Sequence, residues 1–519
     1  MEKFLTTYEK SFFDRAEKSV GAEINLQEYL PGAVKIIKVR AVGVAEETEV
    51  QKDGIFIRGC VRFSAVYRSD FRDRLKCAVF TQEFSHTFPA RGIGEALADD
   101  GFWDVSVYVS EEKGHVLSPR RLAVSCKVTV GIEAVCAGKS RIYGSDNDAP
   151  LERLCKEIDT LSLKKLGDFA VSLRESVSLE EGMPKIREIV CCDTNLCSLT
   201  GEIRDGEAVF TGTASLSCMY LGESEDESGQ YVSFSKDIPF TERFPVMSVS
   251  PDAFLLCKGV ITESGANPEQ DNYGEASLCS VSAEIKIVAR AYESARDTVI
   301  CDVFSTEHDC ECEVRDIAYD GFICGICDTV TTTESIKASL GSITEVVSRS
   351  AEVFVVSCER NGDNLVYGLR ATLGICGTTD TGNLESAGTS FNFRVQGTSQ
   401  VCVDAEKCNI DSSVYVRSCD CRIENGEIRC VLTLDLNSSL YARKSIRAVT
   451  AASTDTESRI RRDKSEYIIY YPEGTETVWS AAKKYRVSPR SLLAVNGMSE
   501  DAASFGDKRA VVIPRNGVK

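Results

Sequence analysis

Hydrophobic and polar residues alternate along most of this chain with the period of two expected of half-buried strands. In one run Ile55, Ile57, Gly59, Val61, Phe63, Ala65 and Tyr67 share a face. In a second, Ala208, Phe210, Gly212, Ala214, Leu216, Cys218 and Tyr220 do so, mostly with Thr and Ser between them. Each run follows a dipeptide, Asp53-Gly54 or Asp205-Gly206, whose left-handed dihedrals suit a tight hairpin. A third dipeptide, Asn361-Gly362, precedes alternation of Leu365, Tyr367, Leu369, Ala371, Leu373 and Ile375, one residue out of step with Gly368. A bulge or an alignment shift is required there, because a slip of one residue turns every side chain over.

These signals recur with a period of about 155 residues, a repeat architecture. Pro31, Pro184 and Leu340 stand 28 residues before Gly59, Gly212 and Gly368. Phe84 and Phe88 match Phe240 and Phe244, whereas the third copy has only FNFRV at Phe391 to Val395. Each copy closes on further alternation, from Leu122, Val281 and Ile428.

The pattern predicts a mainly β multi-domain chain with three β-sandwich or open-barrel-like repeats at 30–145, 183–306 and 340–454. Helical periodicity is read in an N-terminal segment, 1–29, and a spacer, 146–182. A second spacer falls at 307–339 and a patternless polar linker at 455–465. Residues 466–514 read as a small α+β unit in the order βααβ. Its second helix starts at Ser488-Pro489 and stops at Asn496-Gly497.

Composition narrows the function. With 60 Lys+Arg against 79 Asp+Glu the formal charge is −19, which opposes binding to phosphate backbones, so no nucleic-acid partner is expected. No run of 18 apolar residues predicts a membrane span. Met1 to Lys18 lacks the apolar stretch of a secretory signal, so a reducing cytoplasmic location is expected. The 23 cysteines then act chiefly as small core residues, Cys191-Cys192 and Cys419-x-Cys421 included. Cys310, Cys312, Cys324 and Cys327, with His308 nearby, form the one candidate zinc set, the alternative being strand and core packing. Three histidines and no phosphate-binding glycine motif leave neither a catalytic constellation nor a cofactor site to expect.

The segment EGTETVWSAAKKYRVSPRSLLAVNG closely resembles a LysM domain. Glu476, Thr477, Val478, Trp479, Ala482, Tyr485, Leu492, Asn496 and Pro514 fall on its pattern. The resemblance implies a shallow groove for N-acetylglucosamine-containing glycans, with Gly474, Thr475, Glu476, Thr477 and Val478 on one side and Asn496, Gly497, Met498 and Ser499 on the other. Thr475 stands where a glycine is usual, and the second loop is long and acidic through Glu500 and Asp501. Trp479 is expected in the core of this unit.

The three upstream copies resemble the SPOCS domain, through INLQEYLPGAVKIIKV at Ile24 to Val39, the strands ending at Tyr67 and Tyr220, and IPF at Ile238 to Phe240. SPOCS repeats followed by one LysM is the layout of SipL-like spore-coat proteins. That resemblance implies a non-enzymatic adaptor in the mother-cell cytosol, which binds a morphogenetic ATPase at the forespore surface partly through LysM. Two alternatives stay open: LysM-mediated binding of peptidoglycan or other N-acetylglucosamine glycan, and a LysM-targeted cell-wall hydrolase. Self-association is also open.

Overall fold

The computed structural model describes the chain apart from residues 1–2, 72–73, 91–96, 98–100, 145–150, 224–229, 272–273, 338–342, 382, 402–407, 425, 460–466, 474–475, 507 and 515–519. The protein is mostly β, in several separate sheets. Among the described residues, the strands before the terminal unit fall into three sets of six with one pairing scheme. The first set is β1 (Lys3–Asn25), β2 (Ala33–Gln51), β3 (Gly54–Ser69), β4 (Leu75–Pro89), β5 (Phe102–Ser118) and β6 (Arg121–Ile142). Its strands form a β2-β3-β4 meander and a β1-β6-β5 sheet.

The second set is β7 (Leu151–Ser178), β8 (Ile186–Arg204), β9 (Glu207–Gly222), β10 (Tyr231–Pro245), β11 (Phe254–Glu269) and β12 (Leu278–Ser305). Here the two ladders merge into one six-stranded sheet through the pairing of Leu255 with Gly201. The third set is β13 (His308–Ile336), β14 (Ile343–Asn361), β15 (Asn364–Thr379), β16 (Leu384–Gln396), β17 (Asn409–Glu424) and β18 (Glu427–Arg459). It again separates into two three-stranded sheets.

The segments expected to be helical or spacer are strands. Residues 1–29 hold β1, 146–182 hold β7 and 307–339 hold β13, each the first strand of a set and each paired along its length with the last. The apolar spacing in LERLCKEIDTL mimics a helix, yet Leu154 is exposed while Ile158, Thr160 and Leu161 are buried. Long-range pairing with β12 overrides local periodicity here. The expected linker at 455–465 is likewise extended where described, since β18 runs on to Arg459. Each six-strand set therefore begins one strand before the hairpin-based count.

Two glycines are fixed by close approach. A Cβ on Gly59 would lie 2.3 Å from the Val44 carbonyl oxygen and 2.7 Å from the Phe84 ring. On Gly212 it would lie 2.5 Å from the Phe240 ring and 2.7 Å from the Ser198 carbonyl oxygen. In both sets the phenylalanine is the glycine's cross-strand partner and covers it. In the third set the residue facing the equivalent Phe393 is Leu369, not Gly368. The apparent slip in β15 is therefore one of alignment: counted from the hairpin pairs Gln51–Gly54 and Asn361–Asn364, Leu369 is the counterpart of Gly59. Asp205 and Gly206, both at positive φ, make the tight turn expected of them. The tyrosines ending β3 and β9 also act alike, Tyr67 donating to the Pro31 carbonyl at 3.0 Å and Tyr220 to that of Pro184 at 2.8 Å.

The three sets close on one another, each touching both others. Lys38 pairs with Asp193 at 2.6 Å between the first and second. The Tyr415 hydroxyl accepts from the Gly259 N–H at 3.0 Å between second and third. The Tyr8 N–H donates to Asp320 at 2.5 Å between third and first. The terminal unit consists of β19 (Tyr467–Tyr470), α1 (Val478–Tyr485), α2 (Pro489–Val495) and β20 (Val511–Pro514), the expected βααβ order. No helix among the described residues is long and apolar enough to cross a membrane.

Candidate functional site

In the terminal unit Thr477 caps α1. Its hydroxyl accepts from the Ser480 N–H at 3.0 Å, and the Ser480 hydroxyl accepts from the Thr477 N–H at 3.0 Å, a reciprocal capping box. Val478 is buried, and its N–H donates to the Ala503 carbonyl at 3.0 Å. With the Thr477–Ser504 bridge, this bond brings the two loops expected to flank a groove against each other. Gly474 and Thr475 lie outside the described residues.

The remaining candidate groove residues are largely occupied. The Glu476 carboxylate accepts from the Tyr470 hydroxyl and from the Glu473 N–H at 3.0 Å. The Tyr470 bond holds the Glu476 carboxyl below its ordinary range and raises the Tyr470 phenol to about 12. The Asn496 amide donates to the carbonyls of Leu492 at 2.7 Å and Val512 at 2.6 Å, and its oxygen accepts from the Val512 N–H at 2.7 Å. Asn496 therefore clamps α2 to β20. Gly497 holds the left-handed turn after α2 at φ 58°, Met498 packs against the unit's core and Ser499 is exposed.

Trp479 is neither an exposed sugar platform nor a residue buried wholly within its own unit. Its indole N–H donates to Asp302 on β12 at 2.8 Å, and its ring meets Phe304 edge-on at 5.0 Å. Lys483 reaches the same carboxylate at 2.6 Å, Arg486 pairs with Asp309 at 2.8 Å, and Phe304 joins the terminal unit's own core. These contacts seat the unit on the second and third sets. The sequence reading missed Asp302 and Phe304, since nothing local in β12 marks them.

A second feature lies where the three sets meet. Arg290 of β12, 2% exposed, pairs with Asp104 at 2.5 Å and with Glu133 at 3.4 Å from the first set, and with Asp411 at 3.5 Å from the third. Lys10 adds a 2.7 Å pair to Asp411, and Lys258 a 3.5 Å pair to Asp104. Burial alone would raise both aspartates, but Arg290 and Lys258 hold Asp104 low, while Lys10 and Arg290 bring Asp411 down to about 2. Above this cluster opens a cavity of about 1410 Å³ lined by all three sets, with Val44, Val107, Ile261, Val353 and Val416 among its apolar walls. The one available signal was opposite charge at corresponding repeat positions, Glu133 and Arg290.

The four cysteines of the candidate zinc set do not converge. Cys310, Cys312, Cys324 and Cys327 all lie along the single strand β13. At about 3.3 Å per residue the stretch from Cys312 to Cys324 spans roughly 40 Å. All described cysteines are free thiols, and burial raises several of them, Cys77 and Cys257 to about 12.

The chain matches no family model, no curated protein and no solved structure.

Proposed function

We propose that the protein is a non-enzymatic adaptor of endospore envelope assembly, binding a morphogenetic ATPase at the forespore surface through its terminal unit while the three β sets form the body that carries it. The observation supporting this reading is a division of roles within the unit. Glu476, Thr477 and Asn496, three of the polar side chains of the expected glycan groove, are spent on internal bonds. Tyr467, Ile469 and Tyr471 meanwhile stand 53%, 66% and 70% exposed on the outward face of β19 and just beyond it. An exposed row of aromatic and large apolar side chains of this kind fits a protein contact, where such residues are enriched. The −19 charge adds a preference for a basic partner surface.

Calorimetry of the full chain against the purified ATPase and against N-acetylglucosamine oligomers tests the reading. Saturable heat with the ATPase and none with glycan is expected. Glycan binding without ATPase binding overturns it in favour of a wall-binding protein.

A further inference from the structure

The tip of the β17–β18 hairpin brings together three cysteines that the chain's other chemistry leaves unused. The Cys419 sulfur lies 3.6 Å from that of Cys421 and 3.8 Å from that of Cys430, and the latter two are 3.6 Å apart. Such separations are far beyond a disulfide's ~2.05 Å. They match instead the roughly 3.8 Å edge of a tetrahedron whose corners lie about 2.3 Å from a central zinc ion. From these distances we propose that Cys419, Cys421 and Cys430 form a three-thiolate site for a thiophilic metal ion of the Zn2+ class, its fourth position open to solvent.

The local fold holds the three sulfurs. Cys419 and Cys421, two residues apart on β17, share one face, and Cys430 on β18 is the direct cross-strand partner of Cys421. That face belongs to the apolar core between the third set's sheets, with Ile428 and Leu432 beside Cys430 along β18. Cys421 and Cys430 are buried, while Cys419 is half-buried and gives the ion a way in. Three thiolates around a divalent ion leave one negative charge. Arg349 stands by to offset it, donating to the Cys419 carbonyl and pairing with Asp420 at 2.6 Å. Glu334 on β13 faces Cys430 across the third ladder, with its carboxylate oriented by the Thr332 hydroxyl at 3.1 Å.

The test uses the full chain, reduced, stripped of metal and kept anaerobic. Titrated Co2+ is expected to give a saturable thiolate charge-transfer band at about one ion per chain, discharged by Zn2+. Cys421→Ser and Cys430→Ser are expected to abolish the band. Cys419→Ser, at the half-buried position, is expected to fold as the wild type by circular dichroism and to weaken binding at least about tenfold. Cys310→Ser serves as the control and is expected to leave it unchanged. A band that saturates with wild-type affinity in folded Cys419→Ser protein, or the absence of any saturable band in the wild type, overturns the site and leaves the three thiols as core packing.

Discussion

Glu133 and Arg290 hold the same place in two successive copies of one unit, 157 residues apart, yet their side chains meet at 3.4 Å. Each lies two residues in from the pair that begins its ladder, Phe102 with Val135 and Phe254 with Tyr292. Equivalent residues can touch in this way only if their position faces the place where the copies converge. The repeats are therefore wrapped about a shared centre and not strung along a line. Arg290 is the only one of the three equivalent residues that carries a positive charge; the third, two in from Asn409 with Tyr441, is Ser439.

Replacing Arg290 by Met leaves Asp104, Asp411 and Glu133 buried or half-buried around an apolar side chain. Removing one member of a buried ion cluster typically costs about 3–5 kcal/mol, because the remaining charges lose their compensation. A fall of that size in urea-unfolding free energy is expected, with a smaller one for Arg290→Lys. No change would mean that the three sets are not held by this cluster.

The ionisation of two groups of carboxylates sets opposite pH trends. Asp104 and Asp411 are held low in the fold, so the stability they contribute is present above their unfolded values near 4 and is lost as pH falls through their lowered values, about 2 for Asp411. Glu112 behaves oppositely. Burial pushes it up to about 7 despite the Ala41 N–H and the facing Arg40 and Lys38, and Glu352 adds repulsion. The fold therefore prefers its neutral form, and its contribution declines as pH rises from about 4.5 to about 7. Unfolding free energies across this range are expected to fall with pH in the wild type and to flatten in Glu112→Gln, by an amount of order 1–3 kcal/mol.

Gly59→Ala places a methyl group against the Val44 carbonyl and the Phe84 ring, and overpacking of this kind costs about 1–3 kcal/mol. Phe84→Leu is expected to recover part of that loss in the double variant, because the ring is one of the two obstacles. A simple sum of the single effects, measured by thermal unfolding, would show that the glycine is not there to admit the ring.

Much of this architecture was legible in the sequence. The period, the hairpin at Asp205-Gly206 and the paired role of Phe84 and Phe240 follow from alternation and turn chemistry, which act over a few residues. The place of the first strand in each set was not legible, because β1, β7 and β13 are held extended by partners about 90 to 155 residues away. Gly368 misled for a related reason: a glycine at nearly the right spacing stands beside Leu369, the true counterpart of Gly59. At the candidate site, the helix start at Ser488-Pro489 and the turn at Gly497 were readable from local motifs. The seat of Trp479 on Asp302 and Phe304 was not, since it joins residues about 177 positions apart.

The exposed row on the terminal unit is the feature on which the adaptor reading depends, and Ile469→Glu probes it most directly. The side chain is 66% exposed, so the substitution is expected to leave the thermal midpoint unchanged. Binding of the full-length variant to the purified morphogenetic ATPase should then weaken at least about tenfold, as expected for an apolar anchor at a protein interface. Undiminished ATPase binding by a folded Ile469→Glu protein would contradict the account.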